Sequence, residues 1–283
     1  METVNPTARS AFAITAVVTL LIGLYMFFFP ATLATLPAPA NAANPWPWLI
    51  GPLAMRLLGA TLIAFSVTAG LVAMRPDRPT LLAFTTSEAI AGGIFLLHIL
   101  LNTGQIDWTR PLAWIWADAV VAALVASLLT LRWLRSIPTR TVPPLPPTPP
   151  VVNWIALVFG AATGLVGAMM FFFPDIGRAR WPWDLGSNVT VQLFGALFLT
   201  VSAVAFWSWR QPSWYGYDLI YPGAATFSVV ALTAALLHWG LFDMQRLGTW
   251  IFVVAYIVGG VFGYYPYVRY SLGRGARVVA QRV

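Results

Sequence analysis

Apolar residues dominate eight stretches of the chain, and short segments rich in Pro, Trp, Asp and Arg separate them. A helix of about 20 residues crosses about 30 Å of hydrocarbon, and each stretch is long enough to do so. The stretches lie near 11–30, 49–74, 81–101, 111–133, 152–174, 189–208, 219–241 and 247–268. The pattern predicts an all-α integral membrane protein with eight transmembrane helices.

Several short motifs occur twice, once in each half of the chain. Met-Phe-Phe-Phe-Pro stands at 26–30 and at 170–174, and Trp-Pro-Trp at 46–48 and at 181–183. Arg-Leu-Leu-Gly-Ala at 56–60 matches Gln-Leu-Phe-Gly-Ala at 192–196. The sequence therefore predicts a tandem duplication of four helices. Because four spans enter and leave on one side of the membrane, the two repeats are expected to be parallel.

The repeat divides the chain into four parts. The predicted first four-helix repeat covers 1–137, and the second covers 151–270. Between them, 138–150 is rich in proline, which cannot continue a helix and favours an extended polyproline II linker. A basic tail, 271–283, follows the second repeat. The first apolar stretch resembles a signal peptide, but it matches the fifth stretch and is expected to remain.

Composition supports the membrane class and excludes several functions. The chain is 59% hydrophobic and only 9% charged, with a mean hydropathy of +0.76, whereas soluble proteins are about 25% charged. It has no cysteine, which excludes disulfides and thiolate chemistry. No metalloprotease, serine-hydrolase, phosphate-loop or dinucleotide motif occurs. No basic stretch indicates nucleic-acid binding.

Arginine placement predicts the orientation. All sixteen basic residues are arginine, and most stand in the N-terminus, the 2–3 and 6–7 loops, the linker and the tail. By the positive-inside rule both termini are cytoplasmic, in what we expect to be a bacterial plasma membrane. The Trp-Pro-Trp motifs then face outward. Trp46, Trp48, Trp181 and Trp183 are expected to anchor the helices at the lipid headgroups.

Three charges inside the predicted spans are candidates for a polar site, since such residues are costly in a membrane. They are Arg56, Glu88 and Asp118. Arg56 and Asp118 lie about 10 Å below the outer interface and are candidates for a buried ion pair. Alternatively, the set binds a substrate, a proton or an anionic headgroup. The matching positions of the second half are Gln192, Ser228 and Val254.

Two histidines stand at matching places, each after Leu-Leu, near the outer ends of helices three and seven. His98 and His238 can ligate haem or pigment metals if they face one another, or can form ordinary hydrogen bonds. Asp107 and Arg110 match Asp243 and Arg246 in the loops that follow. Small residues at spacings of four, including Ala122-x-x-x-Ala126, predict close helix contacts within or between chains.

Three functions remain open. The first is a membrane accessory or scaffold protein that holds a lipid-like ligand between the repeats. The second is a transporter of small solutes or ions that uses Arg56, Glu88 and Asp118. The third is a haem- or pigment-binding redox protein that uses His98 and His238. Expected partners are the lipid bilayer and other membrane proteins; catalysis and a resident cofactor are not expected.

Overall fold

A computed structural model describes residues 6–34, 46–136, 147–215 and 217–272. These residues form helices and short turns, with no β-strand among them. The helices are α1 Pro6–Phe28, α2 Pro52–Met74, α3 Arg78–Leu101, α4 Pro111–Ser136, α5 Pro150–Phe172, α6 Pro174–Arg180, α7 Asn188–Trp209, α8 Ile220–Leu237 and α9 Leu247–Tyr267. Eight of them are long and apolar enough to cross a membrane, which confirms the predicted spans. The short α6 was not predicted.

Proline sets both helix ends in the Phe-rich motif. α1 ends at Phe28 and α5 at Phe172, two residues before Pro30 and Pro174, since the residue before a proline disfavours the helical conformation. The chain then continues as a 3-10 turn at Pro30–Thr32 in one case and as α6 in the other. The motif thus marks the end of a helix in both halves. α6 was missed because seven residues that include two arginines show no apolar run.

Two glycine pairs bring neighbouring helices into backbone contact. A Cβ on Gly59 of α2 would lie 2.7 Å from the carbonyl oxygen of Gly23 on α1. A Cβ on Gly195 of α7 would lie 2.6 Å from the backbone nitrogen of Phe171, and one on Gly167 of α5 only 3.1 Å from the Gly195 oxygen. No side chain fits at these distances. The crossings α1–α2 and α5–α7 therefore depend on glycine.

The two predicted halves pack against each other through several helices. α1 pairs with α2, α3 with α4, α5 with α7, and α8 with α9, while α2 also packs on α8 and α3 on α7. α2 and α3, though consecutive, meet at few positions. At the α2–α8 crossing, a Cβ on Gly223 would lie 3.1 Å from the carbonyl oxygen of Ala64. The core thus forms between the halves as much as within them.

Both Trp-Pro-Trp segments are part of this core. In the first, the rings of Trp46 and Trp48 lie 5.2 Å apart, and in the second those of Trp181 and Trp183 lie 5.1 Å apart. All four side chains are buried. We call this end of the molecule the WPW end. Here the hydroxyls of Ser187 and Thr190 donate to the carbonyl oxygen of Leu49, at 2.9 and 2.8 Å, and join the halves.

Burial of these rings bears on their expected role. An anchor at the headgroups needs a ring that reaches lipid, whereas these four are between 5% and 8% exposed. The anchoring role stays a prediction, and the burial is evidence against it. Exposed indoles occur elsewhere, at Trp114, Trp154 and Trp250.

The linker is described only at its end. The backbone nitrogen and the hydroxyl of Thr148 donate to the carbonyl oxygens of Pro212 and Gln211, at 3.2 and 2.9 Å. This ties the start of α5 to the α7–α8 loop. The remainder of the predicted polyproline segment, to residue 146, and the tail from 273 lie outside the described residues.

Replacing Gly59 by alanine tests the crossing. We expect Gly59→Ala to destabilise the fold by about 1–3 kcal/mol, because its methyl group meets backbone atoms that cannot rotate away. Gly93→Ala is the matched control: Gly93 lies inside α3, and a Cβ added there would meet nothing within 4 Å, so alanine should be neutral or stabilise by up to about 1 kcal/mol. Thermal unfolding in detergent measures both. Equal midpoints would contradict the close crossing.

Candidate functional site

Matching polar residues of the two halves have different surroundings at the WPW end. In one site the Gln192 amide donates to the carbonyl oxygen of Phe171 at 3.0 Å, and His98 Nε2 lies 3.1 Å from the carbonyl oxygen of Val189. His98 is fully buried, with its ring edge-on to Trp48 at 6.2 Å. We call this the closed site, because Gln192 and His98 each have a backbone partner.

The matching positions, Arg56 and His238, form what we call the open site. Arg56 Nε is shielded from solvent, and Arg56 has no hydrogen bond or ion pair among the described residues. Its guanidinium carbon lies 5.8 Å from the centre of the Phe27 ring. His238, the residue after α8, has a shielded Nε2 that also has no hydrogen-bond partner within the described ranges. Two polar groups are therefore left unsatisfied at one place.

The open site is electropositive. Burial, and secondarily the positive charge of Arg56, lower the pKa of His238. The two groups are thus near enough to repel when both are charged, and neither provides the other with a counter-charge. Arg56 is partly buried, and its shielded Nε loses water without gaining a partner, which is unfavourable. An anion bound between Arg56 and His238 would compensate the charge and accept hydrogen bonds from both side chains.

Glu88 and Asp118 do not join this site. Asp118 is exposed on α4, which packs on α3, whereas Arg56 is on α2 beside α1 and α8. The expected Arg56–Asp118 ion pair is therefore wrong for the described structure: the two helices turn to different neighbours. Glu88 lies on α3 between buried Thr85 and Gly92, and it has no hydrogen bond or ion pair with any described residue.

The histidines are not arranged alike. His98 Nε2 is occupied by the Val189 carbonyl, which leaves only Nδ1 for a metal, while His238 belongs to the open site. In the part of the chain that the structure describes, no group of three or more His, Asp or Glu side chains is placed to hold a metal ion. The haem or pigment alternative stays a prediction, and of the two nitrogens of His98 only Nδ1 is free to serve it.

A second polar cluster, at the end opposite the WPW end, was missed from sequence. Arg75 pairs with the buried carboxylate of Asp218, and Ser271 donates to the same carboxylate at 2.9 Å. The Tyr215 hydroxyl donates to Asp77, and Arg75 lies over the Tyr215 ring, 4.2 Å from its centre. The cluster joins the α2–α3 and α7–α8 loops. A signal was available: Asp77 and Asp218 are acids in loops that otherwise carry arginine.

Burial and this pairing act in opposite directions on Arg75. Burial lowers its pKa, but the hydrogen bond and charge of Asp218 more than compensate, so that the pKa of Arg75 is raised. Burial, with the hydrogen bond to Asp77, raises the pKa of the Tyr215 phenol. Every charge in this cluster has an opposite charge nearby. It is a structural connection between the halves, unlike the open site.

The loop pairs at the WPW end hold the Trp-Pro-Trp segments. The Asp107 nitrogen donates to the Pro47 carbonyl at 2.9 Å, and the Asp243 nitrogen to the Pro182 carbonyl at 3.2 Å. Arg110 and Arg246 bind these aspartates, at 2.9 and 3.0 Å. A cavity of about 470 Å³ borders the second pair. Its charged side chains are already paired with one another or with Asn188.

Comparison with models of known protein families, with curated protein sequences and with solved structures finds no match. The fold and the eight apolar spans define a multi-pass helical membrane protein.

The pKa of His238 reports on the open site. We expect Arg56→Gln to raise it, because one of the two causes that lower it is removed. Histidine NMR titration measures this directly, since the chain has two histidines and His238→Gln assigns the signals. Arg180→Gln, which removes an exposed charge at the same end, should leave the pKa unchanged. Because folding lowers the pKa of His238, acidification below about pH 6.5, the ordinary pKa of histidine, favours the unfolded state.

If the two arginine variants shift the His238 pKa equally, a diffuse field rather than proximity to Arg56 explains the shift. The open site would then not be a unit.

Proposed function

We propose that this protein is a membrane accessory or scaffold protein that binds an anionic, lipid-like ligand between its two halves. The observation that carries the proposal is the unsatisfied pair Arg56 and His238, at positions whose counterparts, Gln192 and His98, have backbone partners. An external anion would supply Arg56 and the Nε2 of His238 with the partner that Gln192 and the Nε2 of His98 find in the backbone.

The depth of the open site suits a headgroup. Arg56 is the fifth residue of α2, about 6 Å along the helix from its start. A guanidinium presents several N–H groups in one plane and binds phosphate or carboxylate with two of them at once. Phosphate at this depth would remain near the membrane surface, with its acyl chains in the hydrocarbon.

Apolar surface for the chains of such a ligand is present beside the site. Phe28 and Phe29 follow Phe27, on which Arg56 rests, and are 62% and 58% exposed. Arg56 and His238 belong to α2 and to the end of α8, helices that pack together across the halves. A ligand bound here would contact both halves and stabilise their association.

Transport and redox functions have less support. A transport site built from Arg56, Glu88 and Asp118 needs these groups together, yet no hydrogen bond or ion pair among described residues joins any two of them, and Asp118 faces outward. Haem ligation by His98 would have to use Nδ1, because Nε2 lies 3.1 Å from the Val189 carbonyl oxygen. These alternatives predict solute uptake and visible absorbance, which the binding proposal does not.

The tandem and parallel arrangement belongs to the same proposal. Matched features support it: the glycine crossings, the Asp107 and Asp243 bonds to proline carbonyls, and the alternation of buried Met26 and Phe27 with exposed Phe28 and Phe29, repeated at 170–173. We also propose that the protein spans a bacterial plasma membrane with both termini on the cytoplasmic side. The open site then lies in the outer leaflet.

Lipid selectivity tests the binding proposal. Delipidated protein should bind a fluorescent phosphatidylglycerol at least about tenfold more tightly than phosphatidylcholine, since a charge-assisted pair is worth about 1.5–3 kcal/mol. Arg56→Gln should remove most of this preference and Arg56→Lys part of it. Arg180→Gln serves as the control for net charge. Binding of the anionic lipid should also raise the His238 pKa, by placing a negative charge beside it.

Equal affinity for the two lipids, or an unchanged preference in Arg56→Gln, would refute the proposed site. A normal unfolding midpoint for Arg56→Gln shows that lost binding is not lost folding. A Soret band in the purified protein would favour the redox alternative.

Cysteine labelling tests the orientation, and the absence of native cysteine makes it direct. Gln105→Cys lies in the α3–α4 loop and Ser136→Cys at the end of α4, both at exposed positions. We expect a membrane-impermeant maleimide to label the first in intact cells and the second only after permeabilisation. The reverse pattern would place the termini outside.

A further inference from the structure

α4 lies at the edge of the helical assembly. It packs on α3, and most of its remaining side chains are exposed. Counted from Trp114, a row of exposed residues recurs at steps of four and three, which keeps the row on one side of the helix. We call this row the Asp118 face. It consists of Trp114, Asp118, Val121, Val125 and Leu128.

Asp118 is unusual in this row because it carries the only charge and lies at hydrocarbon depth. α4 has 26 residues, and Asp118 is about 10 Å along the axis from its start. Ionisable residues within spans nearly always face the protein interior or pair with another group. Asp118 is exposed and has no hydrogen bond or ion pair among the residues described. None of the described residues compensates it.

The corresponding helix of the second half lacks this feature. Val254 of α9 stands at the position that matches Asp118, and it is likewise exposed, at 55%. A valine packs favourably against lipid chains there, whereas the same chains provide a carboxylate with neither a hydrogen bond nor a counter-charge. Beside Asp118, Ala122 and Ala126 are also exposed, so this small-residue pair is not used for packing inside the chain. It leaves room for a second helix to approach closely.

We propose that the Asp118 face docks a transmembrane helix of a different membrane protein, which carries an arginine or lysine level with Asp118. Charge complementarity identifies the partner as cationic. A second copy of this chain is a poor occupant: symmetric packing of α4 on α4 would bring two Asp118 carboxylates together. The basic residue of this chain at similar depth, Arg56, belongs to the open site and not to an exposed face. The inference does not depend on lipid binding there.

Model helices test the docking directly. The full-length protein in nanodiscs, labelled with a donor dye, is titrated with an acceptor-labelled single-span peptide of leucine and alanine. One peptide carries an arginine about 10 Å from its outer end, and the matched peptide carries leucine there. We expect the arginine peptide to associate about tenfold more tightly, the effect of one interhelical hydrogen-bonded contact in a membrane.

Asp118→Val, which installs the residue of the matching helix, should remove this difference. Because Asp118 has no described partner, the variant should fold normally, with an unchanged unfolding midpoint. Asp107→Asn, a loss of one acid in the adjoining loop, should retain the difference. Equal association of the two peptides with the wild-type protein, or a preference that survives in Asp118→Val, overturns the proposal. Energy transfer between differently labelled copies of the protein, lost in Asp118→Val, would identify a second copy as the occupant and overturn it as well.

Discussion

The close crossing of α1 on α2, and of α5 on α7, determines where the polar side chains of this protein can lie. A Cβ on Gly59 or Gly195 would lie only 2.7 or 2.6 Å from a backbone atom of the facing helix. Glycine at these two positions therefore allows the backbones to touch. Arg56 and Gln192 each stand three residues earlier, on nearly the same side of their helix. The crossing therefore brings both residues against the Phe-rich ends of α1 and α5. A wider crossing would leave each of them in lipid or water.

From equivalent starting positions, the two side chains reach different outcomes. Glutamine is neutral and short, and its amide is satisfied by one backbone carbonyl, that of Phe171. Arginine is longer and charged, and the ring of Phe27 provides only the weak attraction of a π face. The Nε2 of His238 has no partner among the described residues where the Nε2 of His98 has a carbonyl, although the Nδ1 of His98 also lacks one. The difference between the sites thus arises from side-chain chemistry on a similar backbone, and a ligand is the simplest way to balance it.

Local patterns in the sequence were sufficient for the long helices of the fold. Apolar length predicted the eight spans, and two of them end just before Pro30 and Pro174. Long-range packing was not predictable in this way. Nothing local distinguishes α8 from α4 as the neighbour of α2, so Arg56 was assigned to Asp118 instead of to the vicinity of His238. The Arg75–Asp218 pair was missed for the same reason, since 143 positions separate its members.

The tryptophans show a related limit of sequence patterns. A tryptophan at a span end is typical of a lipid interface, but a Trp-Pro-Trp segment also brings two large rings together, and here both pairs are buried. Whether the rings are buried or reach lipid depends here on a second loop, which follows two helices after each Trp-Pro-Trp segment. The backbone nitrogens of Asp107 and Asp243 bind the central prolines, and this holds each segment over the core rather than against lipid.

The surroundings of the charged residues consequently differ among three places in this protein. At the end opposite the WPW end, Arg75 and Asp218 come from different halves and compensate one another. At the open site, His238 cannot compensate Arg56, because an imidazole is either neutral or positive. On α4, Asp118 faces away from the assembly. Because Arg56 and Asp118 lie on helices with different neighbours, they do not compensate one another in the described structure.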